Sequence, residues 1–228
     1  MQIKKIEKER RPREKAIEKG IESLSDEELL ALILTSGVPG KNVVEISRHL
    51  LEGAGGFFGL FKCDKRTLSS FEGVSKVKAL EIMALGEISR RSYRELLPRL
   101  TKPAAEDLFK IYAPSFALLE QETMILLLYD KTGRFNGERR LYSGTSDSLV
   151  VSHLEILKEL LRGGAYYFYL LHNHPSGDPL PSQGEVEDTL RLKEEAEELS
   201  LHLLDHVVIA GNRYFSFTSN SLFRKALS

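Results

Sequence analysis

The feature that most constrains this chain is the passage from a continuous apolar run into a loop that carries two histidines. Residues 165–171 read Ala-Tyr-Tyr-Phe-Tyr-Leu-Leu, and His172 and His174 follow directly, before a loop rich in proline and glycine. An apolar run of this length predicts a buried central strand. Side chains at positions i and i+2 of a strand point to the same face, so both imidazoles can reach one ion. The sequence therefore predicts a metal site at the end of a buried strand.

A carboxylate after the histidines can complete a set of three ligands. Asp178 and Glu185 both follow, one in the loop and one at the predicted helix start. Because Gly-Asp-Pro is a common turn composition, we assign Asp178 to a turn and Glu185 to the metal. Three nitrogen or oxygen ligands leave a tetrahedral zinc ion one position for water, which is typical of catalytic rather than structural sites. The pattern therefore predicts a zinc-dependent hydrolase.

The pair Ser182 and Glu185 also has a purely local interpretation, because Ser-x-x-Glu is the pattern of a capping box at a helix start. The two interpretations are compatible, since an N-cap at Ser182 does not hinder a ligand in the first helical turn. Hydrolysis would further require a base and a donor that stabilises an oxyanion. The hydroxyl of Ser182 and a carboxylate at Glu120 or Glu122 are the candidates for these roles.

The chain changes character near residue 102. Residues 1–102 show helical periodicity interrupted by glycine-containing turns, whereas residues 103–228 alternate strands and helices. Two prolines within residues 97–103 place a linker there. We therefore expect a helical N-terminal domain and an α/β C-terminal domain in which helices cover a sheet. The second domain contains a predicted hairpin that runs from residues 123–130 to residues 144–145.

Composition indicates where such a chain resides. Cys63 is the only cysteine, which excludes a disulfide framework and a cysteine-rich zinc site and suits a reducing compartment. The N-terminal residues lack the apolar stretch of a signal peptide, and apolar runs such as residues 124–129 are far too short to span a bilayer. We expect a cytoplasmic protein without a membrane partner.

The spacing around the histidines resembles a known motif. Two histidines separated by one residue, a serine after seven more residues and an acidic residue after a further two are similar to the JAMM motif of the JAB/MPN metalloproteases. More narrowly, the whole chain resembles the bacterial RadC family. The residues that carry this resemblance are His-Asn-His-Pro-Ser-Gly-Asp-Pro at 172–179, Pro-Ser at 181–182, Asp205-His206, Arg-Pro-Arg-Glu-Lys at 11–15 and Leu-Ser-Asp-Glu-Glu-Leu-Leu at 24–30.

The resemblance implies a JAB/MPN-type α-β-α domain, with a mixed sheet flanked by helices and similar to that of cytidine deaminases. It also implies zinc as the cofactor, bound by His172, His174 and Glu185. The family usually has aspartate at this last position. Glutamate is a competent zinc ligand, but its extra methylene changes the reach of the carboxylate.

The resemblance also assigns the catalytic groups. It implies Ser182 as the partner of the oxyanion and an upstream glutamate as general acid and base. Glu122 matches the position of this glutamate better than Glu120 or Glu155 does. A further histidine, His206, lies on a predicted strand, where we expect it to pack or to contact a ligand rather than to be one.

Nucleic acid is a candidate partner of the N-terminal half. Residues 1–102 contain 20 Lys and Arg against 15 Asp and Glu, whereas the rest of the chain contains 12 against 18. Residues 71–79 resemble the helix-hairpin-helix loop of the family's N-terminal domain, in which backbone N–H groups at a helix start hold a DNA phosphate. Ser75 replaces the usual second glycine, and an ordinary turn in a packing domain is the alternative interpretation.

Three functions are consistent with these patterns. The first is a peptidase or isopeptidase that uses zinc to cleave an amide bond in a peptide or protein substrate. The second is a DNA-binding, repair-associated protein with a structural metal site, and the third is a metal-dependent nuclease. A cytidine-type deaminase is excluded, because its Pro-Cys-x-x-Cys motif needs more cysteines than Cys63. Two histidines and a carboxylate would also suit non-haem iron, so the choice of zinc depends on the resemblance.

Overall fold

The structure, a computed structural model, describes residues 11–141 and 151–221 of the chain. The chain divides after Ser89 into two compact units, Met1–Ser89 and Arg90–Ser228. Leu97 is buried in the core of the second unit, which therefore includes the segment where the sequence predicts the linker. The compact units thus divide earlier in the chain than the predicted domain boundary at 102/103.

The first unit is built from helices, as the sequence predicts. Those described are α1 (Pro12–Lys19), α2 (Asp26–Leu34), α3 (Val43–Ala54), α4 (Phe57–Leu60), α5 (Lys65–Ser70) and α6 (Lys76–Arg94), with a 3₁₀ turn at Ile21–Ser23. The last residues of α6, after Ser89, belong to the second unit. Ser25 and Asn42 begin α2 and α3 through capping boxes with Glu28 and Glu45, so both helices start where the local sequence dictates. The buried core of this unit includes Leu34, Leu50, Leu68 and Ile82.

The second unit contains a mixed sheet. Its elements are α7 (Ala105–Phe116), β1 (Met124–Tyr129), β2 (Phe135–Leu141), α8 (His153–Arg162), β3 (Tyr167–Asn173), α9 (Gln183–Glu198), β4 (His202–Ala210) and β5 (Arg213–Ser216), after a 3₁₀ turn at Leu97–Arg99. The strand order is β2-β1-β3-β4-β5. Strands β3 and β4 are parallel, whereas the other neighbouring pairs are antiparallel.

Helices cover both faces of this sheet, because its strands are apolar on both sides. Ile125, Leu127 and Tyr129 of β1 belong to the cluster that contains the buried residues of α7. Leu126 and Leu128 belong to a second cluster, which contains the buried residues of α8 and α9. This alternation follows from the two-residue period of a strand. The predicted α/β fold, with N-terminal helices and a mixed sheet flanked by helices, is confirmed.

The predicted hairpin is present as the antiparallel pair β1 and β2. Its expected end at residues 144–145 lies outside the described residues. Within residues 11–141 and 151–221, no helix combines the length and the apolar character needed to cross a bilayer.

The end of β3 determines which face of the sheet His172 occupies. Leu170 belongs to the cluster on the α8 and α9 side of the sheet. His172 comes two residues later and therefore faces the same side. The pairing of β3 with β1 ends at His172 and Met124, whereas its pairing with β4 continues through Asn173. Because α9 follows within a short loop, the strand end and the helix start meet on one face of the sheet.

Candidate metal centre

Three side chains from the end of β3 and the start of α9 converge on one point. His172 is buried in the strand, and His174 follows it in the loop. Glu185 occupies the third position of α9, after the N-cap Ser182. Among the residues that the structure describes, these three form the group of histidine and carboxylate ligands that could hold a metal ion.

The distances within this group fit a single ion. Nε2 of His172 lies 2.9 Å from Nε2 of His174 and 2.9 Å from Oε1 of Glu185, and Nε2 of His174 lies 3.0 Å from the same oxygen. The centre of a triangle with sides of ~3 Å is ~1.7 Å from each corner, which is less than the ~2.0–2.2 Å of zinc–nitrogen and zinc–oxygen bonds. The three atoms are therefore close enough together for one zinc ion to bond to all of them.

Glu185 divides its two oxygens between the helix and the histidines. Oε2 accepts hydrogen bonds from the backbone N–H of Ser182 at 2.8 Å and from its hydroxyl at 2.7 Å. Oε1 is therefore directed to His172 and His174. Burial opposes the ionisation of Glu185, but hydrogen bonds from His172, His174 and Ser182 outweigh it and lower the pKa far below its usual value. Glutamate at this position thus has enough reach to serve the capping box and the histidines together.

A second buried histidine supports His172 from behind. Nδ1 of His172 lies 2.7 Å from Nε2 of His206, and Nδ1 of His206 lies 2.8 Å from Oγ1 of Thr189. Burial lowers the pKa of both imidazoles, so each is neutral, with one donor and one acceptor nitrogen. When Nε2 of His172 offers its lone pair to an ion, Nδ1 carries the proton and donates to His206, which in turn donates to Thr189. His206 thus contacts a candidate ligand, which is one of the two roles that the sequence predicts for it.

The loop holds His174 through its backbone. Nδ1 of His174 donates to the carbonyl of Asp178 at 2.8 Å, which leaves Nε2 directed at Glu185. Burial lowers the pKa of His174, but the contacts with Glu185 and with the Asp178 carbonyl raise it above the usual value overall. The carboxylate of Asp178 accepts from the N–H of Leu180 within the loop. Asp178 therefore belongs to a turn, as its sequence context predicts.

The converging atoms open into a cavity of about 440 Å³. Glu122 and Ser182, the two sequence-predicted catalytic residues, line this cavity together with the three candidate ligands. Glu120 and Glu155, the other candidate bases, do not line it. The remainder of the wall is largely apolar and includes Met124, Ile156, Leu170, Leu180 and Leu192. The structure therefore brings together all five predicted site residues.

Two contributions near the site escape the sequence analysis. Asn173 bonds through its side chain to the backbone on either side of Glu122. Only its position between the two histidines could have indicated such a role. His153, the first residue of α8, is partly buried and lies between the carboxylates of Asp188 and Glu195. Asp188 also lines the cavity.

Known proteins are similar to this chain over nearly its full length. Residues 101–222 match the family model of the RadC-like JAB domain, and residues 3–80 match that of the UPF0758 N-terminal domain. A UPF0758 protein of Clostridium perfringens is 35% identical over 222 residues, which are 97% of this chain and 98% of the relative. One from Bacillus licheniformis is 34% identical over 217 residues, which are 95% of this chain and 97% of the relative. The chain belongs to the RadC-like JAB domain family.

Members of JAB families are often metal-dependent hydrolases, and the RadC-like domain of this chain contains the group of two histidines and one carboxylate described above. The family match therefore agrees with the chemistry that these side chains could perform. It covers β1 to β5 and the helices between them, so every residue of the candidate metal centre lies within it.

The hairpin between α5 and α6 lies in the UPF0758 N-terminal domain of this RadC-like protein. Gly73 has a φ of 82° in this turn, a conformation that favours glycine. The hydroxyl of Ser75 accepts from the N–H of Lys78 at 3.3 Å, as an N-cap does. Nζ of Lys78 donates to the carbonyls of Ser36 and Gly73. A bound phosphate would lie at this helix start. Two donors there, the backbone N–H and the Nζ of Lys78, already have hydrogen-bond partners within the protein.

Proposed function

We propose that this protein is a zinc-dependent hydrolase that cleaves amide bonds of the peptide or isopeptide type. The convergence of His172, His174 and Glu185 within 3.0 Å of one another, at the wall of a cavity that also contains Glu122 and Ser182, is the observation that carries this proposal. A zinc ion held by three protein ligands would keep one position for water or substrate, which is typical of catalytic rather than structural zinc.

When bound, zinc would supply Lewis-acid polarisation of a carbonyl and would lower the pKa of a coordinated water from 15.7 to about 7. The protein's part is to present its ligands in the required protonation state. Burial keeps His172 neutral, and its Nδ1–H is taken up by His206. The bonds around Glu185 keep that carboxylate ionised. In the metal-free site Glu185 is therefore ionised and His172 is neutral, whereas the raised pKa of His174 favours its protonated form. His174 would release its proton on binding the metal.

Glu122 is the group that we assign to proton transfer. It lines the same cavity as the candidate ligands, and it is half-buried at the end of the sheet. A carboxylate there can take a proton from the attacking water and deliver it to the leaving amine, as general acid–base catalysis of amide hydrolysis requires. Its negative charge also favours the protonated form of both histidines, although burial still lowers the pKa of His172 overall.

Ser182 is the group that we assign to the oxyanion. Its hydroxyl donates to Oε2 of Glu185, and its backbone N–H donates to the same oxygen. Because the N–H bond remains, the hydroxyl can turn toward a developing oxyanion without leaving Oε2 unpaired. A donor held in advance near the reacting carbonyl stabilises charge that appears only in the transition state.

A pair of neighbouring glutamates gives the experiment that tests this function. Glu122→Gln should lower the rate of peptide or isopeptide cleavage by about 10²- to 10⁴-fold, the usual contribution of a general acid–base group. Glu120→Gln is the matched control, because Glu120 is exposed and does not line the cavity. Both variants should bind zinc like the wild type. Full activity of the metal-free protein, or of Glu122→Gln, would refute the proposal.

A second candidate function is DNA association through residues 1–102. The resemblance of residues 71–79 to a helix-hairpin-helix loop and the left-handed Gly73 in the turn between α5 and α6 favour it. Phosphate contacts by basic side chains would give an affinity for branched DNA that falls as salt rises and that weakens on Lys76→Ala. Salt-independent or undetectable binding would exclude it. A DNA substrate added to the hydrolysis assay, with and without chelator, separates a nuclease from a peptidase.

A further inference from the structure

Glu122 stands just outside the regular sheet. The antiparallel pairing of β1 with β3 ends at Met124 and His172, so no main-chain ladder between these strands holds residue 122. On its other side, β3 remains fixed past this point, because the N–H of His174 donates to the carbonyl of Ile209 at 2.9 Å. The candidate ligands are therefore anchored by β4, whereas the candidate base needs another support.

The side chain of Asn173 provides that support. Its Oδ1 accepts a hydrogen bond from the N–H of Thr123 at 2.8 Å, and its Nδ2 donates to the carbonyl of Gln121 at 3.1 Å. The Gln121 carbonyl belongs to the peptide group that precedes the Cα of Glu122, and the Thr123 N–H belongs to the one that follows it. Because peptide groups are planar, one amide fixes both planes beside Glu122 and thereby the direction of its side chain.

Side chains alternate between the two faces of β3, and residues 172–174 can therefore both present the candidate metal ligands and support Glu122. His172 and His174 point to one face of the strand, and Asn173 points to the other. If the antiparallel register is extended past Met124 and His172, Glu122 lies opposite His174 and shares its face. Asn173 is 2% exposed, and its hydrogen bond with the Thr123 N–H is buried, whereas that to the Gln121 carbonyl is partly buried.

We propose that Asn173 is a positioning residue that holds Glu122 in register with the metal ligands, a role that rests on the proposed hydrolase function. The amide is suited to it, because Asn173 must accept from one backbone group and donate to another. Aspartate would retain the acceptor and lose the donor. Alanine would lose both, and it would release residues 121–123 while leaving the backbone pairing of His172 and His174 intact.

Amide hydrogen exchange of the zinc-loaded, full-length protein tests the geometric part. Asn173→Ala should speed exchange at the Thr123 N–H by at least about 10-fold, because its bonded partner is gone, and should change zinc affinity by less than about threefold. Asn136→Ala is the matched control, since Asn136 makes a comparable side-chain bond to the Gly163 carbonyl in the same unit. It should alter neither quantity. Unchanged exchange at Thr123 in Asn173→Ala would overturn the proposal.

Steady-state kinetics tests the functional part. In the wild-type background Asn173→Ala should lower kcat by about 100-fold with little change in KM, because misplacement of a catalytic group by ~1 Å has that effect. In the Glu122→Gln background it should lower kcat by less than about threefold. Equal losses in both backgrounds would overturn the proposal. If the wild type cleaves none of the substrates, the hydrolase function fails, and the exchange measurement alone still decides whether Asn173 holds residues 121–123.

A conservative variant covers the case in which Asn173→Ala does not fold. Asn173→Asp keeps the shape and the acceptor for the Thr123 N–H, and it places an oxygen against the Gln121 carbonyl. Its kcat should lie between those of the wild type and of Glu122→Gln. A wild-type kcat in Asn173→Asp would show that the bond to Gln121 is dispensable. It would overturn the proposal that Asn173 must bond to the backbone on both sides of Glu122.

Discussion

The starts of α2 and α9 share one local motif in two different surroundings. In both helices a serine N-cap accepts from the N–H of the glutamate three residues later, and that glutamate accepts from the serine N–H in return. The carboxylate of Glu28 has Lys15 as its further partner, whereas that of Glu185 faces two histidines. The same four-residue pattern thus makes an ordinary helix start in one unit and part of a candidate metal centre in the other.

Lys15 binds Oε2 of Glu28, the same oxygen that accepts from the Ser25 N–H, whereas the histidines face Oε1 of Glu185 and leave Oε2 to the cap. The local motif is therefore the same, and the tertiary neighbours decide which carboxylate oxygen makes the further contact. Burial raises the pKa of both glutamates, and hydrogen bonds lower it. For Glu28 the bonds come from Lys15 and Ser25, while for Glu185 they come from two imidazoles and Ser182. A lysine neutralises the carboxylate permanently. The two imidazoles instead contact Oε1 of a carboxylate that stays ionised, and a bound cation could take their place beside that oxygen.

Neutralising each glutamate in turn should give the largest difference between the two helix starts. Glu185→Gln removes the one anionic ligand and should lower zinc affinity by more than about 100-fold, because even residues that only support a ligand contribute about 10- to 100-fold. Glu28→Gln should bind zinc like the wild type. Competition with a chromophoric chelator at pH 7 measures both. Equal affinity in Glu185→Gln and the wild type would mean that Glu185 is a cap alone.

The support behind His172 should matter less than a ligand does. His206→Phe keeps an aromatic ring against Phe217 but removes the acceptor for Nδ1 of His172. Zinc affinity should fall by about 10- to 100-fold in the same competition assay. His202→Phe, on the same strand and packed against Tyr166, is the control and should leave the affinity unchanged. A loss in both variants would indicate general damage to β4.

The pH dependence of the metal-free protein should separate the two glutamates further. The pKa of Glu185 is lower in the folded than in the unfolded protein, so its contribution to the free energy of unfolding is present above the usual value of 4.5 and is lost as pH falls toward the folded value. The pKa of His174 is raised, so its contribution is present below 6.5 and is lost as pH rises through the folded value.

Urea unfolding of the chelator-treated protein from pH 3 to 8 measures this effect. Glu185→Gln should flatten the stability profile at both the acidic and the neutral end, because it removes the partner of His174 as well. Glu28→Gln should flatten only the acidic end, since its partner Lys15 does not titrate in this range. If the free energy of unfolding depended on pH in the same way in both variants, Glu28 and Glu185 could not have the different partners described above.

The smallest effect on stability should come from removing the N-cap serines of α2 and α9, and it should be similar for the two helices. Ser25→Ala and Ser182→Ala each remove an N-cap and should each lower the free energy of unfolding of the metal-free protein by about 1 kcal/mol. Ser182→Ala should also reduce hydrolysis, which Ser25→Ala should not. If Ser182→Ala leaves activity intact, Ser182 is a cap and has no part in stabilising the oxyanion.

Much of this arrangement follows from residues that are close in the chain. The apolar run before His172 predicts the buried strand β3, and the Ser182 box predicts the start of α9, because both patterns act over a few residues. The contacts that escape prediction join distant residues. Asn173 meets Gln121 across 52 positions, and His172 meets His206 across 34. Such pairs depend on which strands are neighbours, and no local pattern encodes that order.

Helix caps and strand alternation are short-range effects, and the amino-acid sequence therefore already indicates the strand and the helix start at the site and the face on which the two histidines lie. The contact of His206 with His172, and the bonds of Asn173 to the backbone on both sides of Glu122, emerge only from the folded arrangement. The reason is physical: these contacts depend on strand order and on the register of β1 against β3, which the packing of the whole second unit fixes together.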